Sequence, residues 1–105
     1  MIELRCKKIS KLILPAIRVA VAEELYKRYN YTQDEIAKSL GVVQVAVSKY
    51  LNGKYSKGIA KIKEHIQSKG LAGEIVDAIV KKEGKERIDE KISALCENEE
   101  LYSLV

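Results

Sequence analysis

Residues 33–53 read Gln-Asp-Glu-Ile-Ala-Lys-Ser-Leu-Gly-Val-Val-Gln-Val-Ala-Val-Ser-Lys-Tyr-Leu-Asn-Gly, and this stretch decides the fold. Gly41 stands between two short runs of helix-forming residues. Glycine adopts a positive φ without a steric penalty, so it allows the chain to turn sharply there. The pattern predicts a helix over residues 33–40, a tight turn, and a second helix over residues 44–51 that ends at the Asn-Gly pair.

The spacing within this stretch meets the requirements of two helices that cross. Thr32 and Glu35 are three residues apart, which is the spacing of a capping box at the start of a helix. Two helices packed at about 90–120° leave little room where they cross, and Ala37 has the small side chain needed there. Apolar residues recur at helical spacing and predict a small core. The residues expected to hold the motif together are Thr32, Ile36, Ala37, Leu40, Gly41, Val42, Val47, Tyr50 and Leu51.

A wider set of residues carries a resemblance to a known family. These residues are Leu14-Pro15-Ala16-Ile17-Arg18, Thr32-Gln33, Glu35-Ile36-Ala37, Leu40-Gly41-Val42, Gln44, Ala46-Val47-Ser48, Tyr50-Leu51 and Gly53-Lys54. The motif resembles the helix-turn-helix of phage repressors, the Cro/C1-like or XRE-type class. From Leu14 to Gly53, about 40 residues, the chain is similar to stand-alone archaeal predicted transcriptional regulators of that class. The likeness is loose beyond Lys57.

One position departs from the family pattern. Val43 stands where a Ser or Thr usually caps the second helix of the motif. Loss of a side-chain cap typically costs about 1 kcal/mol of helix stability. The substitution also removes a hydroxyl group that would contact a phosphate.

The resemblance implies a way of reading DNA. The second helix, beginning at Gln44, would enter the major groove with its N-terminal end toward the bases. Gln44 would contact an adenine, or a nearby phosphate, and Val45 would pack against a thymine methyl group. Lys49 would reach a guanine, and Ser48 either kind of base. The expected backbone contacts are Gln33, Val43, Asn52, Lys54, Tyr55 and Lys57.

The distribution of charge agrees with a polyanionic partner. The net charge of the chain is +4. Residues 1–58 hold 11 Lys and Arg against 5 Asp and Glu, a net charge of +6, whereas residues 59–105 hold 8 against 10, a net charge of −2. Between Glu35 and Glu64 there are six lysines and no acidic residue. Such a stretch attracts nucleic acid, although charge alone is equally compatible with a solvated surface.

Helical periodicity continues on both sides of the motif and predicts an all-α protein of five or six helices. We expect a repressor-like bundle with its DNA-binding region at residues 1–58 and a helical extension at residues 59–105. One such module reads only about four or five bases, and two-fold dimers place two recognition helices about 34 Å apart on DNA. The isoleucine stripes and apolar tail of the extension make it the candidate dimer-forming part, facing away from the phosphates.

Other classes of function find less support. No nucleophile–base set, metal-ligand spacing or phosphate loop is present, so we expect neither an enzyme nor a metal or cofactor site. Cys6 and Cys96 do not have a metal-binding spacing. Without a signal peptide or an apolar run of about 18 residues, the expected compartment is the cytoplasm, at the nucleoid. The alternative to a DNA-binding regulator is an antitoxin-like interaction or assembly module that keeps the fold without specific DNA binding.

Overall fold

The computed structural model describes residues 11–102, without the side chain of Tyr102. This part of the chain is all-helical, as the sequence predicts, and contains no strand. A short seventh helix follows the six that periodicity indicates. The helices are α1 (Ile13–Tyr29), α2 (Gln33–Leu40), α3 (Gln44–Leu51), α4 (Lys57–Lys69), α5 (Gly73–Val80), α6 (Lys85–Cys96) and α7 (Glu99–Tyr102).

The first helix begins two residues earlier than its proline suggests. Proline often occupies the first position of a helix, which would start α1 at Pro15. The structure starts α1 at Ile13, so Pro15 is the third helical residue. This position tolerates proline because the first four N–H groups of a helix have no partner within it. The first backbone bond of α1 runs from the N–H of Ala16 to the carbonyl of Leu12 over 3.1 Å.

The central helix of the bundle is α1. Ile17, Val21, Leu25 and Tyr29 repeat every four residues, a pattern that predicts one apolar face of the helix. Ile17, Val21 and Leu25 are fully buried, whereas Tyr29 is 42% exposed. Buried residues also lie between them in the sequence, since Val19 is fully buried as well. A helix that is apolar around most of its circumference is surrounded by other elements. The other helices of the bundle therefore pack around α1.

A single cluster of buried side chains includes residues from both sides of the expected boundary at residue 58. The isoleucine stripes of the C-terminal half contribute to this cluster together with the motif. Its members beyond the boundary include Ile62, Ile66, Ile75, Ile79, Ile88, Leu95 and Leu101. These apolar side chains are covered by the chain itself, so they do not form an exposed face. Dimerisation through this half remains a prediction.

Two local predictions from the sequence differ from the structure. The polar residues 54–58 predict a flexible connection, but Ser56 caps α4 and the helix already includes Lys57. The tyrosines near the end of α1 predict an aromatic cluster that seals this helix onto the motif. Tyr26 is 47% exposed and Tyr29 42% exposed, whereas Tyr31 is half-buried against the core.

Within residues 11–102, no helix is both long and apolar enough to cross a membrane. Residues 1–14, whose sequence predicts an extended arm or a short helical turn, lie largely outside the described residues, as does Cys6.

Candidate nucleic-acid interface

The start of α2 is held by the capping box that its sequence predicts. The backbone N–H of Glu35 donates to Thr32 Oγ1 over 3.1 Å, and the backbone N–H of Thr32 donates to Glu35 Oε1 over 2.8 Å. An ion pair of 3.2 Å between Asp34 and Lys38 lies on the outer face of the same helix. These local interactions fix where α2 begins and therefore where Gln33, a candidate phosphate contact, is placed.

The turn of the motif depends on a left-handed residue at Gly41, whose φ is +69°. The backbone N–H of Gly41 donates to the carbonyl of Ala37, and so does that of Val42, over 3.0 Å. This arrangement ends α2 and turns the chain toward α3. A glycine is required because other residues adopt this backbone conformation only with strain.

The inner side of the motif is packed against the bundle. Ile36, Ala37, Leu40 and Val47 are buried. Val42, Tyr50 and Leu51 are half-buried and pack against the same core. Thus α3 is anchored along one side by Val47, Tyr50 and Leu51, and its opposite side is free.

The free side of α3 presents the residues that the sequence assigns to base contacts. Gln44 and Lys49 are exposed, and Val45 is 64% exposed. Ser48 lies on the same side but is half-buried. Helical geometry therefore places the four side chains on one surface, with Ser48 closest to the body of the protein. No acidic residue lies between Glu35 and Glu64 in the sequence, so α3 itself carries no negative side chain.

Ser48 and Asn52 are linked at the end of α3. The side-chain amide of Asn52 donates to the backbone carbonyl of Ser48 over 2.8 Å and to its hydroxyl over 3.3 Å. The same carbonyl also accepts the backbone N–H of Asn52 over 3.0 Å, so Asn52 holds the end of the helix with both its backbone and its side chain. The sequence predicts that the helix ends at Asn52-Gly53, but it does not indicate the side-chain bonds to Ser48.

The start of α3 has no side-chain cap. Val43 occupies the N-cap position in an extended conformation and is 70% exposed. Val43 and Val45 are, together with Tyr26 and Tyr29, the large apolar side chains that are exposed among the described residues. The N-terminal end of α3 is therefore apolar and accessible.

A lysine-bearing loop follows α3. Lys54 and Lys57 are exposed and Tyr55 is half-buried. The backbone N–H of Ile59 donates to Ser56 Oγ over 3.2 Å, which caps α4 and ends the loop. Lys54 therefore lies on a short connection between two helices, and Lys57 lies at the first position of α4.

An ion pair between two mostly buried side chains joins α4, the helix after this loop, to α1. Lys63 Nζ of α4 lies 3.4 Å from Glu23 Oε1 of α1, and both side chains are less than 15% exposed. The Gln67 side chain donates to the same carboxylate oxygen over 2.8 Å. Burial lowers the pKa of Lys63, but Glu23 and the hydroxyl of Tyr55 outweigh this effect and raise it above 10.5. Lys63 thus links α4 to α1, a role that its place in the lysine-rich window did not reveal.

Other kinds of site receive no support from the described residues. No group of three or more His, Cys, Asp or Glu in residues 11–102 could hold a metal ion. Cys96 is buried at the end of α6.

Comparison with known proteins agrees with the geometry of the motif. Residues 23–64 match a protein-family model described as helix-turn-helix. The match includes the end of α1, the whole motif and the first half of α4, and it supports a DNA-binding helix-turn-helix regulator in general. No curated protein and no solved structure matches the chain.

Proposed function

We propose that this protein is a sequence-specific transcriptional regulator that reads the major groove of double-stranded DNA with α3. The proposal rests on one observation: one side of α3 is packed against the protein and the other side is exposed. Its inner side is anchored by Val47, Tyr50 and Leu51, while Gln44, Val45 and Lys49 are free on its outer side. An α-helix with such an exposed face fits the major groove, which is about 12 Å wide.

The four outward residues differ in what they recognise. Gln44 forms paired hydrogen bonds with adenine, and Lys49 donates to guanine O6 and N7. Val45 packs on the thymine methyl group, and Ser48 donates to or accepts from either kind of base. Each well-formed pair discriminates against the wrong base by about 1–3 kcal/mol.

Contacts with the DNA backbone set the register of the protein and most of its salt dependence. The N-terminal end of α2, with Gln33 beside its open N–H groups, suits one phosphate. Lys54 on the loop after α3 and Lys57 at the first position of α4 suit others, because both are exposed. The remaining contacts with the sugar–phosphate chain are proposed for Val43 at the start of α3, Asn52 at its end and Tyr55 on the loop.

Tight binding of a specific sequence favours a homodimer on DNA, because one motif reads too few bases alone. The interface, proposed in residues 59–105, has to use exposed side chains, since most isoleucines of this half are buried in the chain's own core and Ile59 and Ile92 are partly buried against it. Removing α6 and α7 would therefore not test dimerisation cleanly, because α6 and α7 contribute Ile88, Leu95 and Leu101 to the chain's own core. Sizing the full chain by light scattering, free and bound to DNA, tests the dimer directly.

The decisive experiment is selection of bound sequences from a random pool of double-stranded DNA. We expect a consensus with two-fold symmetry, bound with an affinity that falls steeply between low and high salt. Recovery of no sequence preference, together with salt-independent or absent binding, would instead favour the antitoxin-like interaction module.

A matched pair of variants assigns the binding to α3. Replacing Gln44, Val45, Ser48 and Lys49 together with alanine removes the reading face and retains helix propensity. The control replaces the exposed residues Ser68 and Lys69, at the far end of α4, with alanine. We expect loss of sequence preference in the first variant alone, with both variants still helical by circular dichroism.

A further inference from the structure

The side chain of Lys85 lies against the turn of the helix-turn-helix, 44 residues away in the sequence. Lys85 is the first residue of α6, in the half of the chain that the sequence analysis placed away from DNA. A β-carbon built on Gly41 would lie 3.2 Å from Lys85 Nζ and 3.6 Å from its Cε. The ammonium group therefore stands directly beside the turn that leads into α3.

One acidic residue of α6 lies on the same side of the helix as Lys85. Successive residues of an α-helix are about 100° apart, so Lys85 lies within about 60° of Ile88, which is buried in the core, and about 40° from Asp89, one turn further on. Asp89 lines a shallow groove together with three glutamates. No ion pair joins Lys85 to Asp89, and the ammonium group of Lys85 lies beside Gly41 instead.

The charge of Lys85 is available for a partner. Lys85 is exposed, and no acidic group of residues 11–102 lies within ion-pair distance of its Nζ. Two of its basic neighbours are engaged, since Lys81 pairs with Asp77 over 3.0 Å and Arg87 with Glu83 over 3.2 Å.

The turn beside Lys85 is close to the expected DNA surface. Gly41 precedes Gln44, the first residue of α3, by three positions, which corresponds to at most about 10 Å of backbone. When the N-terminal end of α3 enters the major groove, this turn lies at the groove wall, where phosphates are the nearest groups. Half to two-thirds of the hydrogen bonds between proteins and DNA go to phosphates and sugars.

We propose that Lys85 binds a DNA phosphate beside the turn of the motif, so that the C-terminal half of the chain contributes to the DNA-binding surface. This inference rests on the proposed function, because it requires that α3 enter the major groove. A backbone contact carries no sequence information directly. Lys85 therefore adds affinity and helps to fix the orientation of the motif, without changing which bases are preferred.

The test compares three variants of the full chain, Lys85→Gln, Lys85→Arg and Lys69→Gln, in binding to the selected DNA over a range of salt concentrations. The slope of log affinity against log salt concentration is negative, and removing one phosphate contact makes it shallower by about 0.9. This change corresponds to about eightfold weaker binding at 0.1 M salt. We expect this loss for Lys85→Gln, with the same fold-change on selected and unrelated DNA. Lys85→Arg keeps the charge and the slope. Lys69→Gln removes an equally exposed charge at the far end of α4 and leaves both quantities unchanged.

The main rival role for Lys85 is structural, because cations stabilise the C-terminal end of a helix and Lys85 Nζ lies near the end of α2. A lower melting temperature of Lys85→Gln with an unchanged salt slope would assign this role and overturn the inference. Equal slopes for Lys85→Gln and Lys69→Gln would overturn it as well, while leaving the proposed function intact. Absence of salt-dependent DNA binding by the unmodified protein would overturn the proposed function, and this inference with it.

Discussion

The two helices of the motif have the same length but are held in different ways. The first, α2, begins with a complete capping box and buries Ile36, Ala37 and Leu40. The second, α3, begins at Val43 without a side-chain cap, and Val47 is its one fully buried residue among eight. The difference separates two tasks, because α2 fixes the geometry of the motif, whereas α3 keeps most of its surface free for a partner.

The first prediction tests whether the buried side of α2 contributes more to stability than the exposed side of α3. Ile36 is fully buried, so Ile36→Ala leaves a cavity, and such substitutions cost about 2–5 kcal/mol. We expect a loss of this size in the free energy of unfolding, measured in urea. Val45→Ala, on the exposed face of α3, is the control and should change stability by less than about 0.5 kcal/mol. Equal losses for the two variants would contradict the division of tasks.

The second prediction concerns a side chain of α3 that is proposed to contact a base. Gln44→Ala should lower discrimination at one base pair of the selected site by about 1–3 kcal/mol, because a paired contact with adenine is lost. The measurement is affinity for the selected site and for variants of it at each position. Stability should stay unchanged, since Gln44 is exposed. A uniform weakening at every position would mean that Gln44 contacts a phosphate, the alternative that its place at the start of α3 also allows.

Removing the cap of α2 and introducing one at α3 tests whether the two helix starts differ in stability. Thr32→Ala removes the capping interaction of α2 and should lower stability by about 1 kcal/mol, whereas Val43→Ser introduces a cap for α3 and should raise it by a similar amount. Thermal unfolding of both variants and the unmodified chain measures the two shifts. A Val43→Ser variant that is no more stable would show that the start of α3 is already satisfied by other means.

The smallest expected effect concerns the exposed apolar start of α3. If Val45 packs on a thymine methyl group, replacing that thymine with uracil in the selected site should weaken binding about fourfold, the equivalent of about 0.8 kcal/mol for one buried methyl group. The same replacement should have no effect on the Val45→Ala variant. Equal sensitivity of the two proteins would assign the methyl contact to another residue.

The local parts of the motif were predictable because each depends on residues close together in the chain. The Thr32–Glu35 capping box and the left-handed Gly41 involve separations of three or four residues, so spacing alone indicates them. The limits of α2 and α3 agree with prediction for this reason. Pro15 was misleading because proline is tolerated at several positions of the first helical turn, and sequence does not tell which one it takes.

The wider arrangement was not predictable, because it depends on residues that are distant in the chain. Lys63 and Glu23 are 40 residues apart, and their ion pair exists because α4 packs on α1. The isoleucine stripes predicted amphipathic helices correctly, but periodicity does not tell whether an apolar face meets the same chain or a second copy. In the structure these stripes lie in the chain's own core.

The sequence alone was enough to predict that residues 11–102 are all-helical and where the two helices of the motif begin and end. These properties follow from hydrogen bonds and side-chain spacing within a few residues. Only the tertiary structure decided that α1 lies at the centre, that the C-terminal helices share its core, and that Lys85 stands beside Gly41. These features arise from packing, in which many weak apolar contacts between distant segments must be satisfied together, and no short stretch of sequence contains that information.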